Sequence, residues 1–187
     1  MDQATSVQFP PHAALMQRLL NHPFEASEGP LEGFCLRLQK ERGWPKAFAL
    51  RAIEEYRRFC FLACVSETPM TPSEEVDCVW HLHLLYTRDY WETFCPTVLD
   101  KALHHGPTRG GHAEEARFYD QYAQTLALYQ VYFGAPDPNF WPAARFRFEP
   151  ATHWRWVYLP DTFLVPSWSR LWKTCCRYLS FPFTEKL

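Results

Sequence analysis

One segment of the sequence combines the residue types that bind metal ions or transfer protons. Within EEVDCVWHLHLLYTRDYWETFC, residues 74–95, Asp77 and His81 are four positions apart. On a helix, this spacing brings a carboxylate and an imidazole together on one face. The pair therefore fits three uses: two ligands of a metal ion, a general base with the carboxylate that orients it, or a structural hydrogen bond.

A second group of donors follows in LHHGP, residues 103–107, where His104 and His105 are adjacent in a predicted loop. Together with Asp77 and His81 they form an Asp/His set of the kind that binds Zn²⁺ or Fe²⁺. The loop follows the helix closely enough to fold back across it. We therefore expect the ring nitrogens of His81 and of at least one loop histidine to lie within about 5 Å of each other or of Asp77. The spacing matches no standard zinc signature.

Three further residues are candidates for the same chemistry. Cys95, at the predicted helix end near the loop, could supply a thiolate. His83 falls in the apolar arc of the helix, which favours a core histidine with one hydrogen bond over a ligand. Replacing it should lower stability more than metal affinity. Arg109 and the backbone of TRGG, residues 108–111, could bind an anion at a helix start, although a flexible turn is the favoured interpretation.

The element that must position Asp77 and His81 is a helix predicted over residues 72–95. Thr71-Pro72-Ser73-Glu74 matches a capping box at its start, and Pro96 is expected to stop it. On a helical wheel Glu74, Asp77, His81 and Arg88 form one narrow polar stripe on a helix that is apolar nearly all round. Such a helix belongs in the centre of a fold, so we expect Asp77 and His81 to be buried and to need partners.

The remaining periodicity predicts a mainly α protein, a helical bundle of four to five helices with an aromatic-rich C-terminal tail that carries a small β-hairpin. Glu54 and Glu55 are expected on a solvated helix face, paired with arginines. The hairpin is predicted to pair a strand holding Phe146 and Phe148 with one holding Trp154, Trp156 and Tyr158. Besides the histidine helix, the predicted helices cover about 12–21, 30–42, 45–65, 112–133 and 167–179.

We expect three regions along the chain. Residues 1–29 form an N-terminal segment with a short helix, residues 30–137 the bundle, and residues 138–187 the tail, which packs back on the bundle. The helix SWSRLWKTCCRYL, residues 167–179, is amphipathic and basic. Such a helix can lie in a membrane interface or bind a protein partner, but packing on the bundle is favoured. Trp168 and Trp172 lie on its apolar face, and Arg170, Lys173 and Arg177 lie opposite.

Composition excludes several classes of protein. The 187 residues are 47% hydrophobic and 21% charged, which is incompatible with a disordered chain or a small disulfide-dependent scaffold. The net charge of −2 gives no general positive field, so no nucleic-acid partner is expected. Seven cysteines without a CxxC motif, no secretory signal and no long apolar run favour a cytoplasmic protein, with peripheral membrane attachment through the tail as the alternative.

The segment from Pro72 to Pro107 resembles the region shared by the glycine-rich domain-containing protein-like family, which occurs in plants and as short bacterial proteins. AIEEYRRFCFLA upstream and ARFYDQYAQTLALYQVYFG downstream look like the bacterial members, so the resemblance covers about residues 30–142. The family brings no established reaction, and this chain has only seven glycines. The VDxxWHxH and HH elements carry the resemblance, at Val76, Asp77, Trp80, His81, Tyr90, Cys95, His104 and His105.

Two functions from different classes follow. In the first, the protein binds Zn or Fe through its Asp/His cluster, and the bound metal supports an enzymatic activity. In the second, Asp77 and His81 are structural, and the protein is a non-catalytic interaction module whose aromatic, basic tail binds a protein partner or a membrane surface.

Overall fold

A computed structural model describes residues 12–24, 32–106 and 111–148, together with the backbone of 154–157 and 163–166. The chain divides into two compact units, residues 1–148 and 149–187. The described part of the first unit is mainly helical, as the sequence predicts. It contains six α-helices and one π-helix: α1 Ala13–Asn21, α2 Glu32–Arg42, α3 Lys46–Val65, α4 Glu74–Leu85, the π-helix Asp89–Leu99, α5 His112–Phe133 and α6 Ala144–Phe148.

Proline and glycine set several of the helix ends. Pro45 occupies the N-cap of α3, where its missing N–H is not needed. Gly134, with φ of 79°, ends α5 in a conformation that costs glycine little. The predicted capping box starts two residues too early, because the N-cap of α4 is Ser73, whose hydroxyl accepts from the backbone N–H of Val76 at 3.2 Å.

The single helix predicted over 72–95 is wrong, because the chain forms two helices there. At Tyr86 the backbone leaves the helical region, with φ of −86° and ψ of 62°. The following π-helix then continues through Pro96 to Leu99, and Asp100 ends it in the left-handed region with φ of 55°. Proline removes one backbone donor from a helix. Here the wider turn accommodates that loss, and the N–H of Lys101 reaches back to the carbonyl of Cys95 at 3.1 Å.

Helix α3 is the centre of the bundle, since it packs against α1, α2, α4, α5 and the π-helix. Its Ala49, Ile53, Tyr56 and Phe59 are buried at helical spacing. Two charged residues of α3, Glu55 and Arg57, are also buried. Such groups are stable inside a protein only when they are paired or hydrogen-bonded.

Glu55 meets that requirement through four donors. One carboxylate oxygen accepts from the hydroxyl of Tyr129 at 2.7 Å and the indole N–H of Trp141 at 2.9 Å. The other lies 3.0 Å from Arg51 and 3.2 Å from Arg58. The predicted pairing with arginine is therefore present, but the predicted solvated face is wrong for Glu55. The helix turns this residue toward α5 and Trp141, which cover it.

Arg57 joins α3 to the end of α1. Its guanidinium donates to the carbonyls of Leu19 at 2.8 Å, Leu20 at 2.6 Å and His22 at 2.7 Å, which would otherwise lack partners at a helix C-terminus. The same group lies over the ring of Phe24, 4.7 Å from its centroid. This clamp holds the last turn of α1 against the core.

The first strand predicted for the hairpin is wrong. Phe146 and Phe148 lie in α6, and Phe148 packs on Tyr119 and Tyr122 of α5 with ring centroids 5.7 and 6.0 Å apart. Packing on a helix thus overrides the alternating pattern. Phe140 and Trp141, which precede α6 in the first unit, are buried.

In the second unit, two short strands pair antiparallel, Trp154–Val157 with Phe163–Pro166. The helix predicted at 167–179 lies outside the described residues. None of the described helices combines the length and apolarity needed to cross a membrane.

Candidate metal centre

Asp77, His81 and His105 converge in the structure, and we call them the pocket cluster. Nε2 of His105 lies 2.8 Å from one carboxylate oxygen of Asp77, and Nδ1 of His81 lies 3.4 Å from the other. The two imidazole rings are 4.3 Å apart between centroids. One ligand atom from each of the three side chains lies within 4.8 Å of the other two. Helix α4 thus supplies two potential metal ligands at i,i+4 spacing, and the loop after the π-helix supplies the third.

The pocket cluster is more open than the sequence predicts. The side chains of Asp77, His105 and His81 are 28%, 20% and 50% exposed to solvent. The expected burial of Asp77 and His81 is wrong, because the polar stripe of α4 faces a pocket of about 880 Å³ rather than the core. Aromatic residues and two cations, Arg117 and Arg147, line other parts of this pocket.

A hydrogen-bonded relay positions the loop that carries His105. The indole N–H of Trp80 donates to the hydroxyl of Tyr90 at 2.8 Å, and that hydroxyl donates to the carbonyl of Leu103. Trp80 and His105 also pack edge to face, with ring centroids 4.5 Å apart. Burial raises the pKa of Tyr90, so its phenol stays protonated and able to donate. Trp80 and Tyr90 thus act as positioning residues, a role that their spacing in the sequence does not indicate.

Two predicted candidates lie apart from the pocket cluster. His104 is exposed and turns to Trp91, with ring centroids 5.2 Å apart, although it also borders the pocket. Cys95 is buried in the core, and burial raises the pKa of its thiol, which disfavours the thiolate that a metal requires. Of the two adjacent histidines, His105 thus contacts Asp77 and His104 contacts Trp91.

His83 belongs to a second group, the core cluster of His22, His83 and Asp89. Both histidines direct Nε2 at the same carboxylate oxygen of Asp89, at 3.0 Å from His22 and 2.9 Å from His83. Tyr56 lies 3.0 Å from Nδ1 of His83. His83 is indeed a core histidine, with two hydrogen bonds instead of the predicted one. His22 is distant in sequence, and no local pattern indicates its role.

Electrostatics in the core cluster favour a neutral His83 and an ionised Asp89. Burial lowers the pKa of His83, against the opposing effect of Asp89. Burial alone would raise the pKa of Asp89, but the hydrogen bonds from His22 and His83 outweigh it and hold the pKa well below its usual range. A carboxylate with two imidazoles is therefore kept in the form that can accept hydrogen bonds or bind a cation.

The other candidate residues lie outside the described part of the chain. These are Arg109 of the anion-binding hypothesis and the tail residues Trp168, Trp172, Arg170, Lys173 and Arg177. The interaction module built on the tail thus stays a prediction.

Comparison with known proteins gives one family. A family model described as UCP032817-like matches residues 37–117. This match covers less than half of the chain, but it contains all of α3, α4 and the π-helix, and with them the whole pocket cluster. No curated protein and no solved structure matches the chain. The match indicates no glycine-rich domain family, so the resemblance drawn from the sequence is wrong. The elements behind it are short, and a few helix-core and histidine positions do not define a family.

Proposed function

We propose that the pocket cluster binds one divalent transition metal ion, Zn²⁺ or Fe²⁺, and that the protein uses this ion as a Lewis acid in the adjoining pocket. The observation that carries the proposal is the convergence of Asp77, His81 and His105, with one ligand atom of each within 4.8 Å of the others. Two imidazoles with one carboxylate are a common ligand set for both metals.

The distances suit a shared ion. Ligand atoms that each lie about 2.0–2.2 Å from one metal are separated from one another by about 2.8–3.6 Å. The separations of 2.8 Å from Asp77 to His105 and 3.4 Å from Asp77 to His81 fall in that interval. Small rotations of half-exposed side chains would complete the site.

The pocket supports a catalytic use of the ion. Catalytic metal sites keep a coordination position for water or substrate, and three protein ligands beside a pocket of about 880 Å³ leave such a position accessible. A water molecule bound there would have a lowered pKa and could attack a substrate. Trp80 and Phe118 give the pocket apolar surface. Arg117 and Arg147 also line it, but they pair with Glu114 at 2.8 Å and Glu74 at 3.5 Å. We therefore favour metal-assisted hydrolysis of a small organic substrate.

The adjacent histidines provide a matched test. Wild-type protein, His105→Ala and His104→Ala are purified without a histidine tag and titrated with Co²⁺, whose visible absorption reports ligand geometry. We expect His105→Ala to weaken the site by at least about 100-fold, because a direct ligand matters more than the outer partners whose loss costs about 10–100-fold. His104→Ala should stay within about threefold of wild type.

Equal Co²⁺ affinities for the two variants would contradict the proposal. Asp77, His81 and His105 would then form only a hydrogen-bonded surface cluster. Metal analysis of the untreated wild-type protein identifies the ion that is bound in the cell.

A further inference from the structure

The core cluster brings two imidazoles and one carboxylate together inside the protein. Two imidazoles from different elements, His22 after α1 and His83 on α4, aim Nε2 at one oxygen of Asp89. The side chains of His22, His83 and Asp89 are only 3%, 0% and 8% exposed to solvent. Placing three ionisable groups together in a core is costly unless their charges and hydrogen bonds are satisfied.

The surroundings of the core cluster are aromatic. The ring of His83 packs against Phe24 and Phe94, with centroids 5.0 and 4.6 Å apart, and His22 packs against Phe94 at 4.9 Å. These rings separate the core cluster from solvent.

Two local distortions of the backbone hold the ligands in place. Phe24 adopts a left-handed conformation with φ of 60°, which is strained for a residue with a side chain. Together with the clamp of Arg57 on the carbonyl of His22, it fixes the chain where His22 enters the core. The break after α4 returns Asp89, the first residue of the π-helix, to His83. π-Helical turns are often found at functional sites.

We propose that His22, His83 and Asp89 form a second metal centre, a buried structural site for Zn²⁺ or a similar divalent ion. The 2.9 and 3.0 Å separations from Asp89 to the two nitrogens are shorter than the about 3.3–3.4 Å between tetrahedral ligands that lie about 2.0–2.1 Å from one zinc ion, so the side chains would spread by a few tenths of an ångström on binding. The ion would join the end of α1, α4 and the π-helix at one point. This site is independent of the pocket cluster.

Tyr56 allows both the metal-free and the metal-bound state. Without an ion, Nε2 of each histidine carries the proton that faces Asp89, and the hydroxyl of Tyr56 donates to Nδ1 of His83. With an ion, each imidazole would bind through Nε2 and carry its proton on Nδ1. The Nδ1–H of His83 would then donate a hydrogen bond to the hydroxyl oxygen of Tyr56. No net proton is gained or lost, and the hydrogen bond orients the ligand ring, as outer partners do at known metal sites.

The test removes the pocket cluster first. The variant His81→Ala/His105→Ala is unfolded, stripped with a chelator and refolded with excess Zn²⁺, because a buried site must load during folding. After extensive dialysis we expect about one equivalent of zinc per chain, the stoichiometry of a single structural site. We also expect a higher melting temperature than in protein refolded without metal.

Two substitutions on the π-helix then assign the site. In the same background, Asp89→Asn should reduce the retained zinc at least about tenfold, while Glu92→Gln, at an exposed position three residues on, should leave it unchanged. Far-UV circular dichroism checks that both variants are folded. If Asp89→Asn does not fold, the zinc content of the parent variant decides the question alone. Protein that refolds with no retained zinc overturns the proposal, as does a folded Asp89→Asn variant that keeps it. Neither result bears on Co²⁺ binding by the pocket cluster in the wild-type protein.

Discussion

Two adjacent glutamates on α3 allow a direct test of how the bundle is held together. Glu54 and Glu55 are chemically identical, and each contacts Arg51 at 3.0 Å. Yet the side chain of Glu54 is 57% exposed and that of Glu55 is fully buried. We expect Glu55→Gln to lower the free energy of unfolding substantially and Glu54→Gln to leave it almost unchanged.

The expected magnitude follows from the donors around Glu55. Tyr129 and Trp141 are buried and donate to the same oxygen, so a glutamine carbonyl can still accept both hydrogen bonds. The glutamine amide would then face Arg51 and Arg58, whose side chains are 38% and 29% exposed and can turn partly to water. Removing one partner of a fully buried ion pair costs about 3–5 kcal/mol. Because the two arginines can turn partly to water, we expect Glu55→Gln to lower the free energy of unfolding by about 2 kcal/mol.

Glu55→Ala should cost more than Glu55→Gln. It leaves the buried donors of Tyr129 and Trp141 without an acceptor, at about 1–3 kcal/mol each, so about 4 kcal/mol is expected. Glu54→Gln removes only an exposed ion pair and should change stability by less than about 0.5 kcal/mol.

The assay is urea unfolding followed by far-UV circular dichroism, with the slope of the transition compared among variants. If Glu55→Gln and Glu54→Gln agree within about 0.5 kcal/mol, then Glu55 is not the buried anchor described here and the reasoning fails.

Three other substitutions or reactions test separate parts of the structure. Tyr90→Phe removes the donor to the carbonyl of Leu103 and should weaken Co²⁺ binding at the pocket cluster about tenfold, as titration would show; unchanged affinity would mean that the loop is held otherwise. Arg57→Met should lower the free energy of unfolding, measured by urea unfolding, by about 3 kcal/mol, because the hydrogen bonds of Arg57 to the end of α1 are lost. A change below about 1 kcal/mol would refute this role. Burial raises the pKa of Cys64 to about 11. The rate of its alkylation in the folded protein, followed by peptide mass spectrometry, should therefore keep rising with pH toward that value. A rate that levels off near pH 9, as expected for unfolded protein, would contradict this.

Local sequence information accounts for much of the helical framework. Helices α1, α2, α3 and α5 lie within two residues of their predicted ranges, because proline, glycine and apolar periodicity act over a few neighbouring positions. The same kind of information brings Asp77 and His81 together, since their contact depends only on helical geometry. The convergence of His105 with them agrees with the expectation for one of the two loop histidines.

Predictions that depended on the surroundings of a helix were less successful. The pattern of α4 indicates a buried polar stripe, whereas the loop and α5 leave that side open as a pocket. Pro96 predicts the end of a helix, but the π-helix passes through it, because packing of Phe94, Val98 and Leu99 in the core compensates for one lost backbone bond.

The sequence by itself determined where most helices begin and end and which two donors share a face of α4, because both depend on bonds and sterics within one or two helical turns. Only the tertiary structure decided that Glu55 and not Glu54 is buried, that His105 and not His104 meets Asp77, and that His22 joins His83 at Asp89. Each of these outcomes depends on which distant element covers a given side chain. Burial and desolvation are set by that packing, and no local pattern encodes them.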